Sequence, residues 1–313
     1  MLIPDNLLVS ILINNYNYGR FLAEAIDSAL AQNYARCEVI VVDDGSTDNS
    51  REIIASYGDR IIPILKENGG QASAFNAGFA ASRGSIICFL DSDDIFLPEK
   101  ATEIVKAFTS HPDCGWFFHS LHFTNTPHQI SVENNDSDFL KIYDLRLHFQ
   151  SGKIKGKLPS FIPATSGLCF TREFLELILP MPEAGRISTN DNYLKYTALA
   201  LYKGLTIDRK LAILRLHENN AFTGKKKNHL SNAMLIAINA YWIRLNFPFL
   251  SKYTNKEFSF ALGKFWRNKN NKSEKDNIMD LDYQEAVKKY FSLVTSLEKK
   301  QIILKAILHS LKS

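Results

Sequence analysis

The chain has 313 residues, 45% of them hydrophobic, with a formal net charge of +4. That is enough to bury a full core as one large domain or two smaller ones. No apolar run approaches the roughly 18 residues needed to cross a bilayer, which counts against a membrane-spanning protein and favours a soluble globular one.

The net charge conceals an asymmetry. Residues 1–220 carry 20 Lys+Arg against 26 Asp+Glu, a net of −6, whereas residues 221–313 carry 17 against 7, a net of +10. A basic tail can seek an anionic membrane surface, a phosphorylated acceptor or nucleic acid, and charge alone does not choose among them. The N-terminus, MLIPDNLLVSILI, has no basic leader and no small-residue cleavage site, so it reads as a first strand. Cys37, Cys88, Cys114 and Cys169 are widely spaced with no C-x-x-C, the pattern of buried free thiols in a reducing, cytoplasmic compartment.

Residues 7–13 form a continuous apolar run that ends in the loop formers Asn14, Asn15, Tyr16, Asn17, Tyr18 and Gly19. Phe21, Leu22, Ala25, Ile26, Ala29 and Leu30 then fall on one face of a helix. Residues 39–42 read as the next buried strand, running into Asp43, Asp44, Gly45 and Ser46, with Ser46 or Thr47 as cap of a helix bearing Ile53, Ile54 and Tyr57. A strand at 61–65, a loop at Asn68, Gly69 and Gly70, and a small-residue helix over 71–82 follow. Strand, loop and helix thus alternate three times before the apolar run 85–90, which argues for a parallel, doubly wound sheet. In such a sheet ligands bind beyond the carboxyl ends of the strands, so the loops after Ile13, Val42 and Leu90 are expected to converge.

The run 85–90 is followed at once by Asp91, Ser92, Asp93 and Asp94. Three crowded carboxylates repel one another unless a cation or hydrogen-bond donors stand nearby. Hard oxygen ligands of this kind suit Mg²⁺ or Mn²⁺ better than Zn²⁺. A solvated acidic loop ahead of the helix that starts near Pro98 and Glu99 is the alternative. No G-x-G-x-x-G follows the first strand, which counts against a dinucleotide oxidoreductase.

VSILINNYNYGRFLAEAIDSALAQNYARCEVIVVDDGSTDNS and ENGGQASAFNAGFAASRGSIICFLDSDDIFLP together resemble the nucleotide-sugar half of family 2 glycosyltransferases with the GT-A fold. Several separate motifs, spread over about residues 7–100, carry that resemblance in order. It implies an α/β architecture, a Rossmann-like, mostly parallel sheet flanked by helices. By the same resemblance Asn14 and Asp44 lie at the nucleotide base, Asp91 towards the ribose or metal, and Asp93 is the direct ligand of a Mn²⁺ or Mg²⁺ ion. A turn that caps the following helix is the other reading of Asp43 and Asp44.

Farther on, a helix over 99–108 and a strand over 114–123 precede a polar, poorly periodic stretch, 124–160, read as an insertion near the acceptor. The segment Pro163 to Phe170, PATSGLCF, resembles the family's strand beside the acceptor cleft, where Gly167 allows close approach. Asp191 matches the Asp that the family places as the base taking the proton from the acceptor hydroxyl, although Asn190 stands where Glu is usual. A helix N-cap is the alternative role of Asp191. Arg215-Leu216-His217 resembles the family's R-x-H segment, which implies that His217 faces the diphosphate or metal.

Residues 221–313 are helical in pattern and basic, with a linker-like RNKNNKSEKDN at 267–277, and lie outside the resemblance. Their apolar stripes fit core packing, an interfacial membrane helix or an oligomer contact. The expected organisation is a GT-A domain over 1–220, with a nucleotide-sugar half to about 100, and a C-terminal helical extension over 221–313.

The resemblance implies an inverting transferase, moving a sugar from a nucleotide-sugar donor, a UDP-sugar foremost, to a glycan or lipid-linked acceptor in cell-surface polysaccharide or glycolipid assembly. No nucleic-acid partner is expected. The expected location is the cytoplasm or the inner face of the membrane. A nucleotidyltransferase would show a glycine-rich, Lys- or Arg-bearing loop where NNYNYGR stands, and a binding module without turnover has no need of both Asp93 and Asp191.

Overall fold

The computed structural model describes residues 7–127, 139–183, 191–218, 220, 229–270 and 274–311. The chain divides into two compact units. One comprises the described residues of Met1–Asp144, Pro159–Gly185 and Leu201–Asn220, the other those of Leu145–Leu158, Arg186–Ala200 and Ala221–Ser313.

The first unit is built on one mixed sheet. Its opening elements are β1 (Val9–Asn15), α1 (Gly19–Leu30), β2 (Cys37–Asp44), α2 (Ser50–Ser56), β3 (Ile62–Lys66), α3 (Gln71–Ala81) and β4 (Ile86–Asp91). These give the expected alternation, and β1 pairs in parallel with both β2 and β4. Strands β1, β2 and β4 are buried almost throughout, which is why they read as unbroken apolar runs and not as alternating ones. Leu22, Ala25, Ile26 and Ala29 of α1 are buried.

The remaining strands complete the curl. They are β5 (Ile95–Phe96), β6 (Trp116–Thr124), β7 (Lys141–Tyr143), β8 (Leu168–Thr171) and β9 (Gly204–Arg215), with α4 (Lys100–Ser110) and α6 (Arg172–Ile178) between them. The main strand order is β3-β2-β1-β4-β8-β6-β9-β5, with β7 added against β9. Strand β8 runs antiparallel to β4 and β6, and β5 and β7 run antiparallel to β9. The stretch 124–160 therefore does more than loop, since β7 joins the sheet and α5 (Arg146–Ser151) lies within it, while 128–138 lie outside the described residues.

Two close approaches shape this unit. A Cβ at Gly204 would lie 2.0 Å from the Trp116 ring opposite it, so β9 meets β6 only with glycine there. One at Gly167 would lie 2.4 Å from the Pro163 side chain and 2.8 Å from the His119 carbonyl.

The second unit is helical: α5, α7 (Asp191–Leu201), α8 (His229–Asn246), α9 (Ser251–Asn268), α10 (Glu274–Ser292) and α11 (Ser296–Leu311). Tyr290 of α10 stacks on Phe258 of α9 at 3.8 Å and donates its hydroxyl to Asn255 at 2.7 Å. The linker expected at 267–277 is shorter than its composition implied, because α9 runs to Asn268 and α10 starts at Glu274. Lys, Arg and Glu are good helix formers, so a polar stretch can still be helical.

Candidate donor and metal site

The site grows from the carboxyl ends of β1, β2 and β4. Parallel register sets Asn14 beside Asp91 and Asn15 beside Asp43. The side chains follow: Asn14 Nδ2 donates to Asp91 Oδ1 at 2.9 Å, and Asn15 Nδ2 to Asp43 Oδ1 at 3.2 Å. The loops after the first, second and fourth strands thus converge, as the alternating pattern implied.

Asp43 and Asp44 both turn out to be buried. Burial opposes ionisation of Asp43, but Ser46, Arg51 and Asn15 outweigh it and hold the carboxyl below its usual range. Arg51 Nε lies 2.9 Å from it and the Ser46 amide 3.1 Å. Asp44 organises the next loop: Lys66 Nζ donates at 2.6 Å, the Gly69 amide at 3.0 Å and the Gly70 amide at 2.7 Å. Gly70 has φ +83°, where a side chain would strain the backbone, so a glycine there lets the amide reach the carboxylate. Neither Ser46 nor Thr47 caps α2. Ser46 Oγ accepts from Asn15 and from the Asn17 amide, and the Thr47 amide donates to Asn17, while Asp48 accepts from the Ser50 amide at 3.0 Å.

Asp91, Asp93 and Asp94 present carboxylate oxygens all within 4.8 Å of one another. The three are not equivalent. Asp94 is buried; its Oδ2 accepts from Ser166 Oγ at 2.6 Å and its Oδ1 from the Arg215 amide at 3.1 Å. Burial, then the charges of Asp93 and Asp91, push its carboxyl well above the usual range. Asp94 therefore braces the loop, and Asp91 and Asp93 are the less buried acids of the three. Ser166 completes the brace by accepting from the Asp91 amide at 3.1 Å.

Antiparallel pairing of β5 with β9 brings the chain after Arg215 against this loop. Arg215 Nε donates to the Asp93 carbonyl at 3.1 Å, and its Nη2 meets Glu24 Oε2 at 2.6 Å. His217 Nε2 lies 2.9 Å from Asp93 Oδ2, and Arg20 reaches Nδ1 at 3.4 Å. Nε2 also faces the Asn220 side-chain amide at 3.3 Å. Asn220 fixes the segment, since its Oδ1 accepts from the His217 amide at 2.6 Å and its Nδ2 donates to the Arg215 carbonyl at 3.0 Å. The His217 ring packs on Phe21 at 4.7 Å and edge-on to Tyr18 at 5.7 Å. Burial, Asp93 and Asp91 push the Tyr18 phenol up to about 12.

The donor set fits a hard divalent cation: carboxylate oxygens of Asp91 and Asp93 with an imidazole beside them and no thiolate in the group.

Asp191 opens α7 in the helical unit and is buried; Lys195, one turn on, donates to its Oδ2. Asn190 lies outside the described residues. Sequence reasoning missed Lys195, although Asp and Lys at i,i+4 on a helix is a readable pairing. It also gave no role to Ser166 or Arg20, whose partners lie far away in the chain, or to Asn220, which holds the His217 amide and the Arg215 carbonyl three and five residues back.

The family model for glycosyl transferase family 2 matches residues 10–174. An uncharacterized glycosyltransferase of Nostoc sp. is 38% identical over 239 residues, 72% of this chain and 67% of that protein. One of Rickettsia typhi is 37% identical over 152 residues, 45% of this chain, and the match spans about half (48%) of its length. S. aureus TarS 1–349, solved in complex with UDP-GlcNAc, has a TM-score of 0.62 at 17% identity, covering 97% of this chain and 89% of that one. The mannosyltransferase PcManGT of Pyrobaculum calidifontis, solved with GDP-Man and Mn²⁺, has a TM-score of 0.50 at 17% identity, covering 99% and 89%. The chain belongs to glycosyltransferase family 2 and has the GT-A fold. It is a glycosyltransferase.

Proposed function

We propose that the protein is an inverting, metal-assisted glycosyltransferase that moves one sugar from a nucleotide-sugar donor, foremost a UDP-sugar, to an acceptor hydroxyl on a glycan or lipid-linked acceptor of the cell surface. The observation that carries this reading is the pair Asp91 and Asp93 at the carboxyl end of β4, with Asn14 and His217 on their carboxylates. A nucleotide-bound structure of the same fold, TarS with UDP-GlcNAc, supports the donor class, and PcManGT with Mn²⁺ supports the cation.

In this reading Asn14 and Asp44 line the base end of the donor. Asp91 lies towards the ribose. Asp93 is the principal cation ligand, flanked by Asp91 and His217. Neutralising the charge that develops on the departing diphosphate is what a bound Mn²⁺ or Mg²⁺ supplies there.

Asp191 is the general base, a role that rests on the family resemblance at its position. Its carboxylate takes the proton as the acceptor oxygen forms a bond to the anomeric carbon. The bond from that carbon to the diphosphate oxygen breaks, the diphosphate leaves with the electron pair, and configuration inverts. Lys195 holds Oδ2 of the base in place.

Asp191→Asn tests the assignment. Loss of a general base costs about 10²- to 10⁴-fold in rate, so kcat falls by that order with donor affinity unchanged. Asn also caps helices, so the substitution keeps the structural role. A thermal-shift screen of nucleotide sugars with Mn²⁺ identifies the donor first, because selective binding raises Tm. Near-normal turnover of Asp191→Asn with that donor moves the base elsewhere.

A further inference from the structure

Helix α11 is apolar on two opposite faces. Its inner face is committed: Ile302 and Ala306 are buried, and a Cβ at Gly263 of α9 would lie 2.5 Å from the Ala306 carbonyl, so the two helices meet closely. Its outer face carries Leu297, Leu304, Leu308 and Leu311, which are 67%, 61%, 53% and 77% exposed, with Ile307 beside them. Spacings of seven, four and three residues line these leucines up along one side of the helix, roughly 20 Å from end to end at 1.5 Å per residue. Isolated exposed leucines need no explanation, but a continuous stripe of this length does.

Charge says what the stripe suits. Lys300 lies within it and Lys305 beside it, both exposed. The helix has one acid, Glu298, and it is already engaged by Asn255 at 2.9 Å, by the Thr295 amide at 2.9 Å and by Arg244 at 3.4 Å. Two copies meeting through this stripe would bring their lysines into one interface with no free acid from the helix to pair them, which disfavours self-association. An anionic headgroup layer pairs every lysine while the acyl boundary takes up the leucines. The surrounding segment, 221–313, carries a net charge of +10, the sign such a layer attracts.

We propose that the outer face of α11 is an interfacial docking surface for an anionic phospholipid bilayer. The helix lies in the plane of the surface, with Leu297, Leu304, Leu308 and Leu311 in the headgroup–acyl boundary and Lys300 and Lys305 among the phosphates. This surface is independent of the catalytic assignments above and stands or falls without them.

The test is co-sedimentation of the full chain with phosphatidylcholine vesicles, with and without phosphatidylglycerol. The protein should bind the mixed vesicles, release with rising salt, and leave pure phosphatidylcholine vesicles largely unbound. Leu304→Ser with Leu308→Ser should weaken binding at least about a hundredfold, since each leucine loses its burial. Lys300→Gln with Lys305→Gln should weaken it about tenfold or more and flatten the salt dependence. All four positions are exposed, so both variants should keep the parent Tm. Equal binding to both vesicle types, or binding to neither, overturns the proposal. So does a dimer in sedimentation velocity that Leu304→Ser with Leu308→Ser dissociates, which would make the stripe a contact between copies.

Discussion

His217 Nε2 stands 2.9 Å from Asp93 Oδ2, joining the loop after β4 to the segment after β9 across 124 positions of sequence. The contact is oriented from both sides. Arg20 lies at the far ring nitrogen, and Asn220 holds the His217 amide. A partner that orients a metal-binding carboxylate typically matters 10- to 100-fold to metal affinity, whether or not it ligates.

His217→Ala should therefore weaken Mn²⁺ affinity about 10- to 100-fold in the presence of UDP, read by calorimetric titration. An unchanged affinity would mean that the ring only packs against Phe21 and Tyr18.

Lys195 and Asp191 form an ion pair with side chains only 10% and 13% exposed. Removing one partner of a buried pair leaves a charge with little solvent, so Lys195→Met should cost about 3 kcal/mol in chemical denaturation. Asp191→Asn added to Lys195→Met should recover most of that loss, because neither charge then remains. Strict additivity of the two substitutions would show that the residues do not interact.

His119 supplies a pH-dependent part of the stability. Its Nδ1 lies 2.8 Å from the Ser120 carbonyl, and burial, then the charge of Lys100, hold the imidazole below its ordinary value. A histidine with a depressed folded value binds fewer protons folded than unfolded. Its contribution is complete above about pH 6.5 and is lost as pH falls through the window below that. Tm should fall between about pH 7 and 5, and less steeply in His119→Asn, whose amide can still donate to Ser120. Parallel slopes for parent and variant would assign the effect to other groups. Asp43 and Glu38, both held below the usual carboxylate range, act in a separate window below about pH 4.

The parallel core of the sheet was legible because β1, β2 and β4 are buried on both faces and announce themselves as apolar runs ending in polar residues. The convergence of Asn14, Asp43 and Asp91 followed from that topology. The roles inside the loop were not legible. Asp91, Asp93 and Asp94 look alike in sequence, and only the antiparallel pairing of β5 with β9, which delivers the Arg215 amide to Asp94, separates the brace from the other two acids. Ser166 was hidden for the same reason, since it reaches Asp94 from 72 positions away. The two short strands β5 and β7, of two and three residues, carry too little pattern to be read as strands at all.

In the proposed function Asp93 ties donor binding to a divalent cation. Calorimetric titration of UDP into the parent chain and Asp93→Asn, with and without Mn²⁺, tests it most directly. Binding by the parent should require Mn²⁺, and Asp93→Asn should lose that metal-dependent binding with an unchanged fold. Mn²⁺-dependent affinity of Asp93→Asn equal to that of the parent would contradict it.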